Sequence, residues 1–472
     1  MSQPYRHVHD EGTDLSSTPP PIATATLPPH LPIPWSDPLD STRFFERDFV
    51  HFPQPVTCLE RDFIGLTVVT GMRRTVEKFN APLRLDLRRF WTHLYWLDVF
   101  YCDPAEVLMV WTTTTRTAFA PVLEDLEAYW LGVWLPEIRT SQAFWAAFDL
   151  ANASNEALLT HLAESLTRIT RIWELHFEIV YAVGHGWELF TELYGELFEG
   201  TSKLDAARLL QGIDNLTTAA GRGIWRLREL AAASPDLAGM IADSEPAGLL
   251  DRLETRAQTL PEAAALLSEL RGYLTTLGRR STSFSLRSKT LLEDPTPVLS
   301  QLKDALANPD ADPDRHRETR IAQREQAIAE ARGSLRHYPQ VLRAEFERRL
   351  TAAQVATRLK EDHNFIIDYQ CTAAVRAVIM ELAGRLATAG EVDSPDDVMH
   401  LTFNELQASG LALGSLDPGR ALGSPDAAAS AADRRALVAA RAAEMALRRG
   451  RGAVEPGEPT WAPGPRGRAA RR

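Results

Sequence analysis

The chain has little cysteine: three residues, Cys58, Cys102 and Cys371, in 472. They lie far apart and form no C-x-x-C pair, which argues against a disulfide framework and a zinc site and for small buried thiols in a reducing compartment. It also lacks a run of about 18 apolar residues, so no membrane-spanning helix is expected. The first residues, MSQPYRHVHDEG, have no apolar core of the signal-peptide kind, and a cytoplasmic location is expected. Positive charge is scarce. Lys and Arg number 51 against 63 Asp and Glu, a net −12, which speaks against nucleic acid or an anionic membrane as partner. There is no glycine-rich nucleotide loop of the Walker type.

What is present is helix. Phe365, Tyr369, Thr372, Val375, Ile379, Leu382 and Leu386 recur at steps of three and four, one stripe of an α-helix. Gly390 follows as a left-handed cap. Ser394, Pro395, Asp396 and Asp397 then read as an N-cap, a first-position proline and an acidic first turn. Leu159, Leu162, Leu166, Ile169 and Trp173 mark another helix, and residues 119–235 read as long helices throughout. The expected fold is mainly α, a multi-helix body with at most a few short strands.

Composition divides the chain. Residues 1–40 are rich in Pro, Thr and Ser and are expected to be disordered, and His7 and His9 there are expected to bind nothing. A helical domain spans 41–406, with a break at 308–313 (NPDADP) that can mark a sub-boundary. Residues 407–433 read as a linker of Ala, Gly, Ser and Pro. Residues 434–472 begin with a short helix and end in an Arg-, Gly- and Pro-rich tail carrying ten arginines against three glutamates.

Within the domain, Phe44 to Trp134 hold a cluster of aromatics that includes Trp91 and Trp96. Such a cluster is most often core, but it can line a pocket for a ring-bearing ligand. Residues 56–75 fit strand or helix, 83–89 (LRLDLRR) alternate as a short strand, and 91–101 start a helical pattern. His176 and His185, nine residues apart, share no helix face and are poor metal ligands.

Two stretches crowd polar groups. In 360–368, Lys360, Glu361, Asp362, His363, Asn364 and Asp368 fill two turns, with Lys360, Asn364 and Asp368 at i, i+4, i+8. This is either a solvated helix end or a patch that handles an anion or a proton. In 278–285, Gly278, Arg280, Ser281, Ser283 and Ser285 form a glycine-led loop. It can bind a phosphate through the arginine and backbone N–H groups, unless the arginine pairs with Glu293 or Asp294.

These stretches also carry a resemblance. The pattern K-E-D-H-N-F-x-I-D, a long helix with G-R-L, then D-S-P-D-D-V-x-x-L-T-x-N-E-L, is similar to the phosphoenolpyruvate-utilising phosphotransferases. Phosphoenolpyruvate synthase, rifampicin phosphotransferase and phenylphosphate synthase are examples. So are R-F-F-E-R-D-F-V-H-F-P-Q-P at 43–55, the L-L-x-G of Leu209, Leu210 and Gly212, and the G-x-R-S … E-D-P … V-L of 278–299. The likeness covers roughly 40–406, the helical middle alone. No T-x-G-G … S-H run of a swivelling phosphohistidine domain follows, and neither an ATP-grasp domain nor a phosphoenolpyruvate-binding barrel is recognisable. The resemblance therefore implies an acceptor-binding subunit, or a truncated member, served in trans by a partner with phosphohistidine and ATP-grasp domains. ATP and Mg²⁺ are implied for that partner only, and this chain alone is expected to hold no cofactor and no metal.

In rifampicin phosphotransferase the matching helix reads R-E-x-x-K, and its basic residues serve phosphoryl transfer. Here the positions read Lys360, Glu361 and Asn364, so the second positive charge is missing, and an amide cannot neutralise a metaphosphate-like transition state as a lysine does. The resemblance implies Lys360, His363 and Asp368 as catalytic candidates, with His363 a base suited to neutral pH. It implies Arg280, Ser281, Glu361, Asn364, Trp91 and Trp96 as candidates for binding the acceptor. The competing expectation is a catalytically silent helical scaffold or ligand-binding protein.

Overall fold

A computed structural model describes residues 46–48, 51–80, 83–90, 92–100, 104–414 and 430–449. The Pro-rich tail, most of the linker and the Arg-rich end lie outside them, as does Trp91. The fold is mainly α, as expected, with one small sheet. Among the described residues no helix is long and apolar enough to cross a membrane. The chain divides into two compact units. The first comprises Met1–Ala118, Phe148–Phe177 and Ala377–Arg472, the second Phe119–Ala147 and Glu178–Arg376.

The first unit holds the sheet. Strands β1 (Glu46–Arg47), β2 (Leu83–Phe90) and β3 (His93–Phe100) run antiparallel in the order β1-β3-β2, with Phe90 paired to His93 and Leu83 to Phe100. The helical pattern expected over 91–101 is thus a strand. Its closely spaced aromatics fit both periods, and the ladder offered by β2 two residues earlier decides for the hairpin. Thr92, at φ 72°, makes the turn. The ambiguous stretch 56–75 is helical, as Cys58–Phe63, a π-helical segment Ile64–Val69 and Thr70–Lys78. Thr57 and Glu60 close a capping box at its start. Gly71 lets this helix approach the helix Asn155–Leu197. A Cβ there would lie 2.7 Å from the backbone N of Glu174, whose carbonyl accepts from Thr75 Oγ1 at 3.1 Å. Gly390 is left-handed at φ 74°, and Ser394 and Asp397 close a second capping box, on a 3₁₀ turn Pro395–His400. The expected C-terminal helix runs Ala431–Arg449, and Arg441 Nη1 meets Glu405 at 2.7 Å. The helix Phe403–Gly414 extends into the stretch read as linker.

The second unit has two apolar clusters. Helices Leu216–Ala232, Pro235–Asp243, Pro246–Ala257, Pro261–Leu277 and Thr296–Ala307 pack around Leu227, Leu253, Leu266 and Leu302. Four of them carry a proline in the first turn, where its missing N–H costs no bond. Helices Pro313–Ser334 and Gln340–His363 form a hairpin that packs with Phe190 around Ala327, Phe346 and Leu350. Its corner is the 3₁₀ turn Leu335–His337 before Pro339. The break at 308–313 is a turn inside this unit.

Candidate functional site

The helix Pro261–Leu277 ends at Gly278, where a Cβ would meet the carbonyl oxygen of Leu274 at 2.3 Å; only glycine lets the chain turn here. The loop then folds back on itself. Leu292 N–H donates to the Gly278 carbonyl at 3.0 Å, Leu291 N–H to that of Arg280 at 3.0 Å, and Ser281 pairs with Thr290. Serines consume their hydroxyls inside the loop. Ser281 Oγ donates to the Ser283 carbonyl, and the Ser283 and Ser288 hydroxyls meet at 2.6 Å. At the far end Glu293 accepts from Thr290 N–H at 2.8 Å and pairs with Arg376 at 2.5 Å. Arg376, not Arg280, therefore takes Glu293. The Arg280 guanidinium instead lies 4.9 Å from the centre of the Phe365 ring.

Phe365 belongs to the second polar stretch. Gln340–His363 is regular α-helix, and Asn364–Cys371 continues it as a π-helical turn. Wide turns of this kind recur at functional sites because they re-aim the side chains that follow. Here loop and turn enclose a cavity of about 270 Å³. Arg280 and Thr282 line it from the loop, Glu361, Asn364, Phe365 and Tyr369 from the helix, and Tyr273 and Thr217 from two further helices. Glu361 has Thr217 Oγ1 at 3.5 Å. Burial pushes the Tyr273 hydroxyl above the ordinary phenol value, against the pull of Arg280, to which it is hydrogen-bonded. Tyr369 is raised by burial and by the charge of Asp368, again against Arg280. Both hydroxyls keep their protons at neutral pH and can donate to a ligand.

Three of the nine sequence candidates, Arg280, Glu361 and Asn364, thus line one cavity. The others sit elsewhere. Lys360 is exposed, its Nζ 5.5 Å above the Trp187 ring, whose Nε1 donates to Thr357 at 3.0 Å. His363 is buried, with Nδ1 2.6 Å from the Leu359 carbonyl of its own helix; a carbonyl only accepts, so Nδ1 carries the proton. Asp368 is buried in the π turn. That turn takes it off the face that a period of 3.6 shares between Lys360, Asn364 and Asp368. Ser281 is 1% exposed, and its neighbour Thr282 reaches the cavity instead. Trp96 lies on β3 opposite Leu87, in the first unit, and its side chain, like all of Trp91, is outside the described residues. Sequence reasoning missed Tyr273, Thr217, Thr282 and the ligand-facing use of Tyr369. Only Tyr369 left a signal, a hydroxyl on an otherwise apolar stripe.

His185 is buried, with Nδ1 3.3 Å from Glu188, and no group of three or more His, Cys, Asp or Glu in a metal-holding arrangement occurs among the described residues.

Most of the second unit is similar to a known domain. Residues 176–361 match the rifampicin phosphotransferase fourth domain, a span that ends on Glu361 and includes Arg280. The helical body is thus similar to phosphoenolpyruvate-utilising phosphotransferases. Two further similarities extend beyond that domain. The chain is 29% identical over 383 residues, 80% of its length, to chondramide synthase cmdD of Chondromyces crocatus, of which this covers 10%. It is 22% identical over 355 residues, 75% of its length, to the uncharacterized phosphotransferase YvkC of Bacillus subtilis (strain 168), of which this covers 41%. The chain therefore spans less than half the length of either relative. The cavity sits where the two polar stretches of the sequence, 278–285 and 360–368, meet.

Proposed function

We propose that this helical body holds the acceptor of a phosphoryl transfer, and that the delivering groups act on it from another polypeptide or another part of a longer one. Those groups are a phosphohistidine domain charged by an ATP-grasp domain with ATP and Mg²⁺. The observation that carries the reading is that Arg280, from the loop, and Glu361 and Asn364, from the helix, line one cavity, and that the first two lie within the span similar to a domain of rifampicin phosphotransferase.

The chemistry is one of placement and charge. Phosphoryl transfer asks little covalent work of the protein and much positioning. Arg280 offers a planar set of donors for an anionic oxygen. Glu361 accepts the proton of the attacking hydroxyl, as an acidic residue does in kinases. The Asn364 amide and the tyrosine hydroxyls orient the acceptor. Lys360, exposed on the same helix outside the cavity, is free to meet the incoming phosphoryl group from solvent.

The test is to mix the protein with a phosphohistidine and ATP-grasp partner, ATP, Mg²⁺ and a set of small phenols and alcohols, and to follow new phosphate esters by ³¹P NMR. Transfer is expected, and Arg280→Ala is expected to slow it about 100-fold. Absence of transfer with every such partner, from a chain shown to be folded, rejects the reading. A second reading, binding without turnover, is favoured by one observation: among the described residues Arg280 is the sole cation lining the cavity, since position 364 carries an amide. Under it a ligand raises the melting temperature while no ester forms.

A further inference from the structure

Ion pairing between arginine and carboxylate is the rule in the second unit. Arg332 meets Glu347 at 2.8 Å, Arg348 and Arg349 both meet Glu345 at 2.6 Å, Arg222 meets Asp214 at 2.6 Å, and Arg376 meets Glu293. The cavity breaks this rule. Among the described residues no carboxylate lies within ion-pair distance of Arg280, and Thr217 Oγ1, at the long distance of 3.5 Å, is the polar partner of Glu361. The guanidinium lies 4.9 Å from the centre of the Phe365 ring and is hydrogen-bonded to Tyr273. Arg280 Nε is itself buried without a hydrogen-bond partner.

We infer that the ligand of this cavity is a small hydroxy acid, its carboxylate held by Arg280 and its hydroxyl set against Glu361. The carboxylate fits because a guanidinium binds it through two parallel N–H bonds. A phosphate dianion fits less well, because it brings two negative charges into a hollow that Glu361 also lines, where a hydroxy acid brings one and turns its hydroxyl to Glu361. The hydroxyl fits because a carboxylate accepts from O–H. The size follows from the volume, about 270 Å³, below the range of pockets that enclose drug-sized molecules. One ring or a short chain is the scale that the hollow itself holds.

The role of the hydroxyl rests on the phosphoryl-transfer reading; the carboxylate site does not. In that reading the acceptor's O–H bond breaks and its proton goes to Glu361. A P–O bond forms, and the P–N bond of the phosphohistidine donor breaks, returning its electron pair to the imidazole.

Calorimetric titration of the whole chain tests the inference with 4-hydroxybenzoate and lactate, their neutral counterparts phenol and 1,2-propanediol, and inorganic phosphate. At least one acid is expected to bind tenfold or more tightly than its neutral counterpart and than phosphate. Arg280→Ala is expected to erase that preference, and Arg280→Lys, which keeps the charge without the fork, to reduce it, should the alanine variant fail to fold. Glu361→Gln is expected to retain acid binding while lowering transfer. Equal binding of acid and neutral compound, tighter binding of phosphate, or a preference that survives in folded Arg280→Ala overturns the inference. Neutral alcohols that are phosphorylated while no acid binds would sink this inference and leave the transfer reading standing. Acids that bind while no delivering domain yields an ester would do the reverse.

Discussion

Arg376 Nη1 and Glu293 Oε1 lie 2.5 Å apart, and this ion pair closes the far end of the loop that presents Arg280. Arg376 is almost fully buried, so its charge has no water to fall back on. Arg376→Met leaves Glu293 with Thr290 alone. We expect a loss of about 1–3 kcal/mol in urea unfolding, as for a hydrogen bond to a charged group, and weaker ligand binding because Arg280 loses its support. A double variant with Glu293→Gln should lose less than the sum of the two single changes, and strict additivity would show that the pair does not couple.

Acid should loosen the second unit. Burial pushes Glu293 up, but Thr290 and Arg376 outweigh it, and its carboxyl stands below the ordinary 4.5. Hydrogen bonds from Arg348 lower Glu345, and those from Arg332 lower Glu347. A depressed carboxyl contributes stability that is present above its unfolded value and is lost as pH falls through the folded one. Asp362 has the opposite sign, because burial raises it, so its protonation favours the fold as pH falls. Asp205, Asp214 and Asp294 are lowered as well, so six groups oppose one, and the melting temperature should fall steadily between about pH 5 and pH 3. A flat profile would contradict these pairings.

Gly212 stands at φ 68°, and a Cβ on it would lie 2.9 Å from the backbone N of Ile321. Both the left-handed conformation and the close approach exclude a side chain. Gly212→Ala should cost about 1–3 kcal/mol by denaturant titration. A cost near zero would mean that the turn before the helix Leu216–Ala232 relaxes freely.

Cys371 is fully buried, and burial, with the charge of Asp368, pushes its thiol far above the ordinary value. The thiolate is the reactive form. In the native protein an alkylating reagent should modify the half-buried Cys58 before Cys371, and Cys371 should label only on unfolding, as peptide mapping would show. Early labelling of Cys371 would place the π turn in solvent.

Much of the fold was legible because helices announce themselves locally. The stripe from Phe365 to Leu386, the left-handed Gly390, the Ser394 capping box and the proline-led helix starts all depend on residues within a turn or two of one another. Where two periods fitted equally well, as in the aromatic residues before Phe100, local pattern could not choose between helix and strand, and pairing with the neighbouring strand β2 made the choice. The candidate site was legible in part for the same reason. Arg280, Glu361 and Asn364 belong to short stretches dense in polar residues, which stand out against helical background. Lys360, His363 and Ser281 stand in the same stretches, yet one faces solvent, one bonds its own helix and one bonds its own loop.

Sequence alone determined a helical body, its caps and turns, and two polar landmarks some 80 residues apart. Tertiary structure alone decided that these landmarks share one cavity, that Tyr273 and Thr217 join them, and that Arg280 stacks on Phe365 while Arg376 takes the carboxylate. The reason is physical. Capping and periodicity are set by neighbours along the chain, whereas the direction of a side chain around a π turn and the choice of an ion partner are settled by whatever packs against it in space.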